Sequence, residues 1–302
     1  MYHTVQTSVL EIGYLELGSK EGFPVILLHG WPSDVHDWDE VAQGLAANGF
    51  RVFVPWLRGF GSTRFLDEKS PRSGQQAALG MDLREFMDAV NLEDALLVGY
   101  DWGGRGACVV AALWPKRVRG LVSITGYNIL NIALSARPDL AVQEYRFWYQ
   151  WYFQNERGRT GLKRNRRDIA HLLWRLWSPN WQFDDSTFAT TADSFGNPDF
   201  VEVTIHSYRH RYGNAVGDPA LDEFERQLAA QPPITVPTVV LHGECDGVIP
   251  PDHSADAQRH FTGYYARQVV PIAGHFLSRE KPEMVIAAVR HLADLTGKSS
   301  RT

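Results

Sequence analysis

The chain has 302 residues, which at a typical ~150 per domain allows about two domains and the burial of roughly three quarters of its unfolded surface. A content of 44% hydrophobic and 22% charged residues excludes a disordered chain, and 30 Lys plus Arg against 35 Asp plus Glu, a net charge of -5, argues against nucleic acid as the main partner. No apolar run approaches the ~18 residues of a membrane span, and the opening MYHTVQTSVL lacks the basic and apolar regions of a secretory signal. Cys108 and Cys245 alone make neither a disulfide framework nor a Cys-rich zinc site, so the reducing cytoplasm, with no membrane partner, is the expected setting.

In chain order, Thr7 to Leu17 alternates as an antiparallel pair does. Short apolar runs follow at Val25 to Leu28, Val52 to Val54, Ala95 to Val98, Leu121 to Ile124, Thr238 to Leu241 and Gln268 to Val270. Near-continuous apolar runs of this kind suit strands covered on both faces, as in a parallel sheet. Between them, Asp37 and Glu40 predict a helix start running to Ala47, with Trp38, Val41 and Leu45 inward. Ser73 and Gln76 have capping-box spacing ahead of a stripe formed by Leu79, Leu83, Phe86, Met87 and Val90. Alternating strands and helices predict an α/β fold with a mostly parallel central sheet. The alternation stops after Ile124 and resumes at Thr238 beyond the proline-rich Gln231 to Pro237. Residues 1–126 and 233–302 therefore read as a core, and 127–232, helical and dense in Trp and Tyr, as an inserted lid.

The strand at Ala95 runs into Gly99-Tyr-Asp-Trp-Gly-Gly104, and a helix from Gly104 to Trp114 follows. This is the spacing of a nucleophile elbow, in which small residues two positions either side of an exposed central residue let strand and helix pass closely. The central residue is Asp101. Taken by itself it reads equally as a helix N-cap. The context adds His29-Gly-Trp-Pro32 after the Val25 strand, where the Trp31 and Trp102 amides would form an oxyanion hole. Asp246 follows the Thr238 strand and His275 the Gln268 strand, in the order nucleophile, acid, histidine.

On these residues the chain resembles the α/β-hydrolase fold over nearly its whole length, and within it the aspartate-nucleophile branch of soluble epoxide hydrolases and haloalkane dehalogenases. His29-Gly-Trp-Pro32 is similar to the epoxide hydrolase HGxP motif, which implies a cis bond before Pro32. Phe147 to Gln154 and Ser207-Tyr208-Arg209 are similar to the lid segments that carry that family's two ring-opening tyrosines, matching at Tyr149 and Tyr208. Seven of the nine residues from Tyr145 to Phe153 are aromatic, so by its residues alone that segment reads as core packing. The resemblance implies that a hydrophobic epoxide opens to a vicinal diol through an ester on Asp101. Water activated by His275, which Asp246 holds, would then hydrolyse the ester, with no metal and no organic cofactor. Trp31, Trp102, Tyr149 and Tyr208 would bind the substrate. A homodimer is left open.

Haloalkane and haloacetate dehalogenases use the same Asp-His-Asp chemistry and are the alternative. Trp102 could hold a departing halide, with Trp148, Trp151, Trp174, Trp177 or Trp181 as the second donor. Fluoroacetate dehalogenases resemble this chain through Arg105, but they carry Arg directly after the nucleophile and a His-Trp pair in the lid. Here those places hold Trp102 and Tyr149-Gln150, a departure expected to leave a small carboxylate poorly held. A hydrolase-fold ligand-binding protein is the non-enzyme alternative. The six basic residues between Arg157 and Arg167 read as a solvated or ion-paired surface, and both cysteines as small buried hydrophobes.

Overall fold

A computed structural model describes residues 2–135 and 137–297. Among them nine strands form one sheet: β1 (Tyr2–Gln6), β2 (Leu10–Leu17), β3 (Phe23–Leu28), β4 (Phe50–Pro55), β5 (Arg64–Phe65), β6 (Ala95–Gly99), β7 (Val118–Ile124), β8 (Thr238–Gly243) and β9 (Tyr265–Val270). Their order is β1-β2-β4-β3-β6-β7-β8-β9, with β5 paired to β2. From β4 to β9 every pairing is parallel, while β1, β2 and β5 are joined antiparallel. The apolar runs of the sequence lie in the parallel strands, and β3, β6 and β8 are buried almost throughout because helices cover both faces.

The opening pair begins earlier than the alternation predicts. Thr7 starts the connection, not the strand: its Oγ1 accepts from the Leu10 N–H at 3.0 Å while its own N–H donates to Leu10 O. Two helix starts also differ. Asp34, not Asp37, caps the turn Val35–Trp38 that leads into the helix Asp39–Ala47. Asp37 is buried and accepts from Ser33, Tyr100 and Arg279, which leaves its carboxylate no part in capping. The helix Gln76–Ala89 has no capping box. Ser73 Oγ donates to Gln75 Oε1, and the Ala77 N–H is taken by Glu225 from the far side of the insertion.

Between β7 and β8 lie the helices Ala141–Arg146, Trp148–Tyr152, Glu156–Trp177, Asp185–Ala192, Phe200–Arg211 and Asp222–Ala229. The long one kinks at Asn165, whose backbone is non-helical. Of its basic run, Arg159 pairs with Glu202 at 2.5 Å and Arg167 with Asp193 at 2.6 Å. Cys108 is buried as expected, but Cys245 is half-buried, on the loop that leaves β8. No helix among the described residues is long and apolar enough to cross a membrane.

Candidate active site

β6 delivers the elbow. Tyr100 is still extended, and Asp101 turns to a left-handed φ of 49° and opens the helix Asp101–Leu113, three residues before the expected start at Gly104. A left-handed backbone costs a non-glycine residue about 1–2 kcal/mol, and the local packing holds it there. A Cβ on Gly99 would meet the Gly103 carbonyl at 2.7 Å, and one on Gly103 would sit 2.2 Å from Leu28 O on the neighbouring strand. Glycine at both places lets the helix start close against β3 and β6. The Asp101 carboxylate thus stands half-buried at a helix N-terminus, where the backbone dipoles favour negative charge. Its Oδ1 accepts from the Trp31 N–H at 2.8 Å. The Trp31–Pro32 peptide that presents this N–H is cis.

The loops after β8 and β9 bring two further groups together. His275 Nδ1 lies 2.8 Å from Asp246 Oδ2, and Asp246 Oδ1 accepts from the Val248 and Ile249 N–H groups at 2.7 and 3.0 Å. Both side chains are buried. Burial alone would hold the imidazole neutral and the carboxyl protonated. Their mutual attraction outweighs it, raising His275 above its usual 6.5 and lowering Asp246, with the Asp101 charge acting on His275 in the same sense. The other ring nitrogen, Nε2, is buried and has no partner among the described residues.

Sequence reasoning missed what holds these loops. Trp177 O, at the end of the long helix of the insertion, accepts from both the Gly247 and the His275 N–H at 3.0 and 3.1 Å. Ser178 Oγ accepts from the Phe276 N–H and donates to Glu280, whose carboxylate also receives the Gly274 N–H. No local motif marks such partners, because they come from three separate segments.

Aromatic rings from the helices between β7 and β8 pack against Trp31 and Trp102. Trp31 stacks on Tyr149 with centroids 5.5 Å apart and meets Tyr208 edge-on at 5.3 Å, and the two tyrosines meet edge-on at 5.4 Å. Trp177 packs edge-on against His275 at 5.2 Å. Tyr149 and Tyr208 are both almost fully buried. Burial is the main cause that pushes both phenols above the ordinary value of 10 despite nearby Arg211, helped by the Asp101 charge at Tyr149 and by Tyr149 and then Asp101 at Tyr208, so they stay protonated at neutral pH. Gln150 Nε2 donates to the Tyr149 hydroxyl at 2.9 Å, leaving that hydroxyl's own hydrogen to be given elsewhere.

A cavity of about 570 Å³ is bounded by Asp101, Arg105, Asn128, Tyr149, Gln150 and Arg211, among others. Of the expected site residues, Asp101 and Tyr149 face it. Trp31 and Tyr208 pack against Tyr149, and Trp177 touches both Trp31 and His275, which Asp246 holds. Trp31's amide meets the Asp101 carboxylate. Trp102 is held by its ring against Trp31 and Tyr208, and its indole N–H is buried without a partner among the described residues. Among the other tryptophans weighed for halide binding, the Trp174 N–H is committed to Pro32 O at 2.8 Å, and Trp151 is exposed against Tyr212. Arg211 was overlooked, although its place three residues after Tyr208 on one helix face would have pointed to it. Among the described residues no cluster of three His, Cys, Asp or Glu could hold a metal ion.

A family model described as alpha/beta hydrolase fold matches residues 24–282. A solved structure of a "putative epoxide hydrolase" from Klebsiella pneumoniae subsp. pneumoniae is 44% identical, covers 97% of each chain and superposes with a TM-score of 0.95. Human epoxide hydrolase 4 is 21% identical over 290 residues, 94% of this chain and 76% of that protein. Pig bifunctional epoxide hydrolase 2 is 29% identical over 183 residues, 60% of this chain, and the match spans only 31% of the pig protein.

Proposed function

From the premise that this chain belongs to the α/β-hydrolase fold family, we propose that it is an epoxide hydrolase acting through an ester on Asp101. The observation that carries this reading is a carboxylate held on a left-handed elbow in the same cavity wall as a buried, protonated phenol. Its relatives' names agree with it. Residues 127–232 act as the lid that supplies both phenols and excludes water from the first step.

An Asp101 oxygen attacks a ring carbon, the C–O bond of the epoxide breaks, and a phenol of Tyr149 or Tyr208 hands its proton to the departing oxygen. The product is a hydroxyalkyl ester. Water then adds to the ester carbonyl, giving a proton to His275 Nε2, while the Trp31 and Trp102 amides hold the oxyanion. Collapse releases the second hydroxyl of the diol and restores the carboxylate. The proton freed by ester hydrolysis equals the one the phenol gave, so epoxide plus water becomes diol. Asp246 supports the imidazolium formed on the way.

The partnerless Trp102 indole N–H favours a second reading, in which the same carboxylate displaces a halide that this group receives. One variant tests the shared chemistry. His275→Gln should consume about one equivalent of epoxide and stall, gaining the mass of the substrate at Asp101. A folded variant that binds epoxide with neither burst nor mass gain contradicts the ester mechanism, and a burst with haloalkane alone moves the assignment to the dehalogenases.

A further inference from the structure

Two guanidinium groups stand in the wall of the Asp101 cavity, and neither epoxide opening nor ester hydrolysis uses them. Arg105 is 7% exposed, one turn into the elbow helix, and its hydrogen bond among the described residues is a long one, 3.4 Å from Nε to Asn128 O. Arg211 comes from the insertion, at the end of the helix Phe200–Arg211. Its guanidinium lies 4.9 Å over the Tyr208 ring, and Nη1 donates to Gln150 Oε1 at 2.9 Å. Its Nε and one Nη are buried and partnerless among the described residues. A buried charged donor left without an acceptor is expensive unless something else completes it. Burial first, and Arg211 second, bring Arg105 down to about 10, so Arg105 is still charged at neutral pH.

The acids nearby do not resolve this. Asp101 faces Arg105, and its Oδ1 is engaged by the Trp31 amide. Glu225, which faces Arg105, already accepts from Gln75, Gln76 and the Ala77 N–H. Glu144 and Asp139 line the same cavity on the Tyr212 side. The carboxylates that face these cations are engaged by other donors, and the buried Nε and one Nη of Arg211 remain planar N–H donors with no acceptor among the described residues. That is the combination suited to a carboxylate, which guanidinium groups bind in directed, charge-assisted pairs.

We propose that the substrate is a small epoxide bearing a carboxylate, with Arg105 and Arg211 binding the carboxylate while Asp101 attacks the ring. The inference rests on the epoxide hydrolase reading and replaces the hydrophobic epoxide expected from resemblance. It also removes an objection. A small carboxylate looked poorly held because the residue after Asp101 is Trp102, yet the second cation arrives from the insertion, 110 residues later in the chain.

Glycidate and its neutral isostere glycidamide provide the test. Wild-type kcat/KM should favour glycidate by about tenfold or more, and Arg211→Gln should shrink that preference by about 10- to 100-fold, the scale of losing a charge-assisted hydrogen bond. Because Arg211 also touches Gln150 and through it Tyr149, both substrates will slow. The ratio between them, carried by KM, separates anion binding from simple disturbance of the site. Equal or better turnover of glycidamide, with a ratio that Arg211→Gln leaves unmoved, overturns the proposal and leaves the epoxide hydrolase reading standing. If neither epoxide is opened but fluoroacetate is, the epoxide reading fails instead. Calorimetry decides the anion site in either case: glycerate should bind where glycerol does not, and should lose its affinity in Arg211→Gln. Equal binding of the two by wild-type protein counts against the site.

Discussion

Tyr149 is a residue whose surroundings argue for two different roles at once. It stacks on Trp31 and meets Trp177, Phe153 and Tyr208, as a core ring would, yet it also lines the cavity and its hydroxyl accepts from Gln150. Packing predicts that removing the oxygen leaves the fold intact, whereas a role in ring opening predicts a kinetic defect. Tyr149→Phe and Tyr208→Phe should each slow ester formation by roughly 10- to 1000-fold, the range for losing one oxyanion donor or general acid. Both should keep the parent's urea midpoint. Single-turnover kinetics of epoxide consumption give the rate, and parent rates in both folded variants would remove the phenols from the mechanism.

Among the elements, the junction of β6 with the helix Asp101–Leu113 carries a tight constraint at the nucleophile itself. The helix begins within van der Waals contact of β3, so a single methyl at Gly103 must displace the Leu28 carbonyl. Gly103→Ala should therefore destabilise the protein by about 1–3 kcal/mol, as overpacking does, and misplace Asp101 enough to lower activity further. Gly196 is a fair control, because a Cβ there would meet nothing within 4 Å. Gly196→Ala should stay within about 0.5 kcal/mol of the parent. Urea unfolding of the two variants checks the contrast, and equal midpoints would mean that the elbow is looser than its geometry. The loops after β8 and β9 show a different dependence, since Trp177 and Ser178 of the insertion fix the backbone on which Asp246 and His275 ride.

At the scale of the whole molecule, stability should fall in mild acid, and His29 is one named cause. Its ring is fully buried, with Nε2 accepting from the Leu57 N–H and Nδ1 donating to Gly30 O, and burial lowers it from 6.5 to about 4. A histidine depressed in this way binds its proton more readily when unfolded. Its contribution is complete above 6.5 and is lost as pH falls toward 4, to a total on the order of 3 kcal/mol. Asp34, raised by burial to about 6, acts in the opposite sense over part of that range, so the difference between proteins is the informative quantity. His29→Asn should be weaker than the parent at pH 7.5 and should lose less between 7.5 and 4.5. Urea titrations at several pH values measure this, and parallel losses would exclude His29.

The sequence by itself determined the covalent order and the local geometry. The parallel strands, the elbow with Asp101 at its centre, the loops of Asp246 and His275 and the aromatic segment around Tyr149 were all legible, because each rests on neighbours a few residues apart and on side-chain periodicity. The helix starts were misread where a long-range partner took over: Asp37 was claimed by Tyr100 and Arg279, and the Ala77 N–H by Glu225. Only the tertiary structure decided which distant groups meet. The 2.8 Å approach of His275 to Asp246, the anchoring of both loops by Trp177 and Ser178, and the placing of Arg105 and Arg211 in one cavity lining all join segments far apart in the chain. Charge, burial and unmet hydrogen-bonding capacity at such places are properties of an enclosed volume, and no stretch of sequence holds them until the chain folds around it.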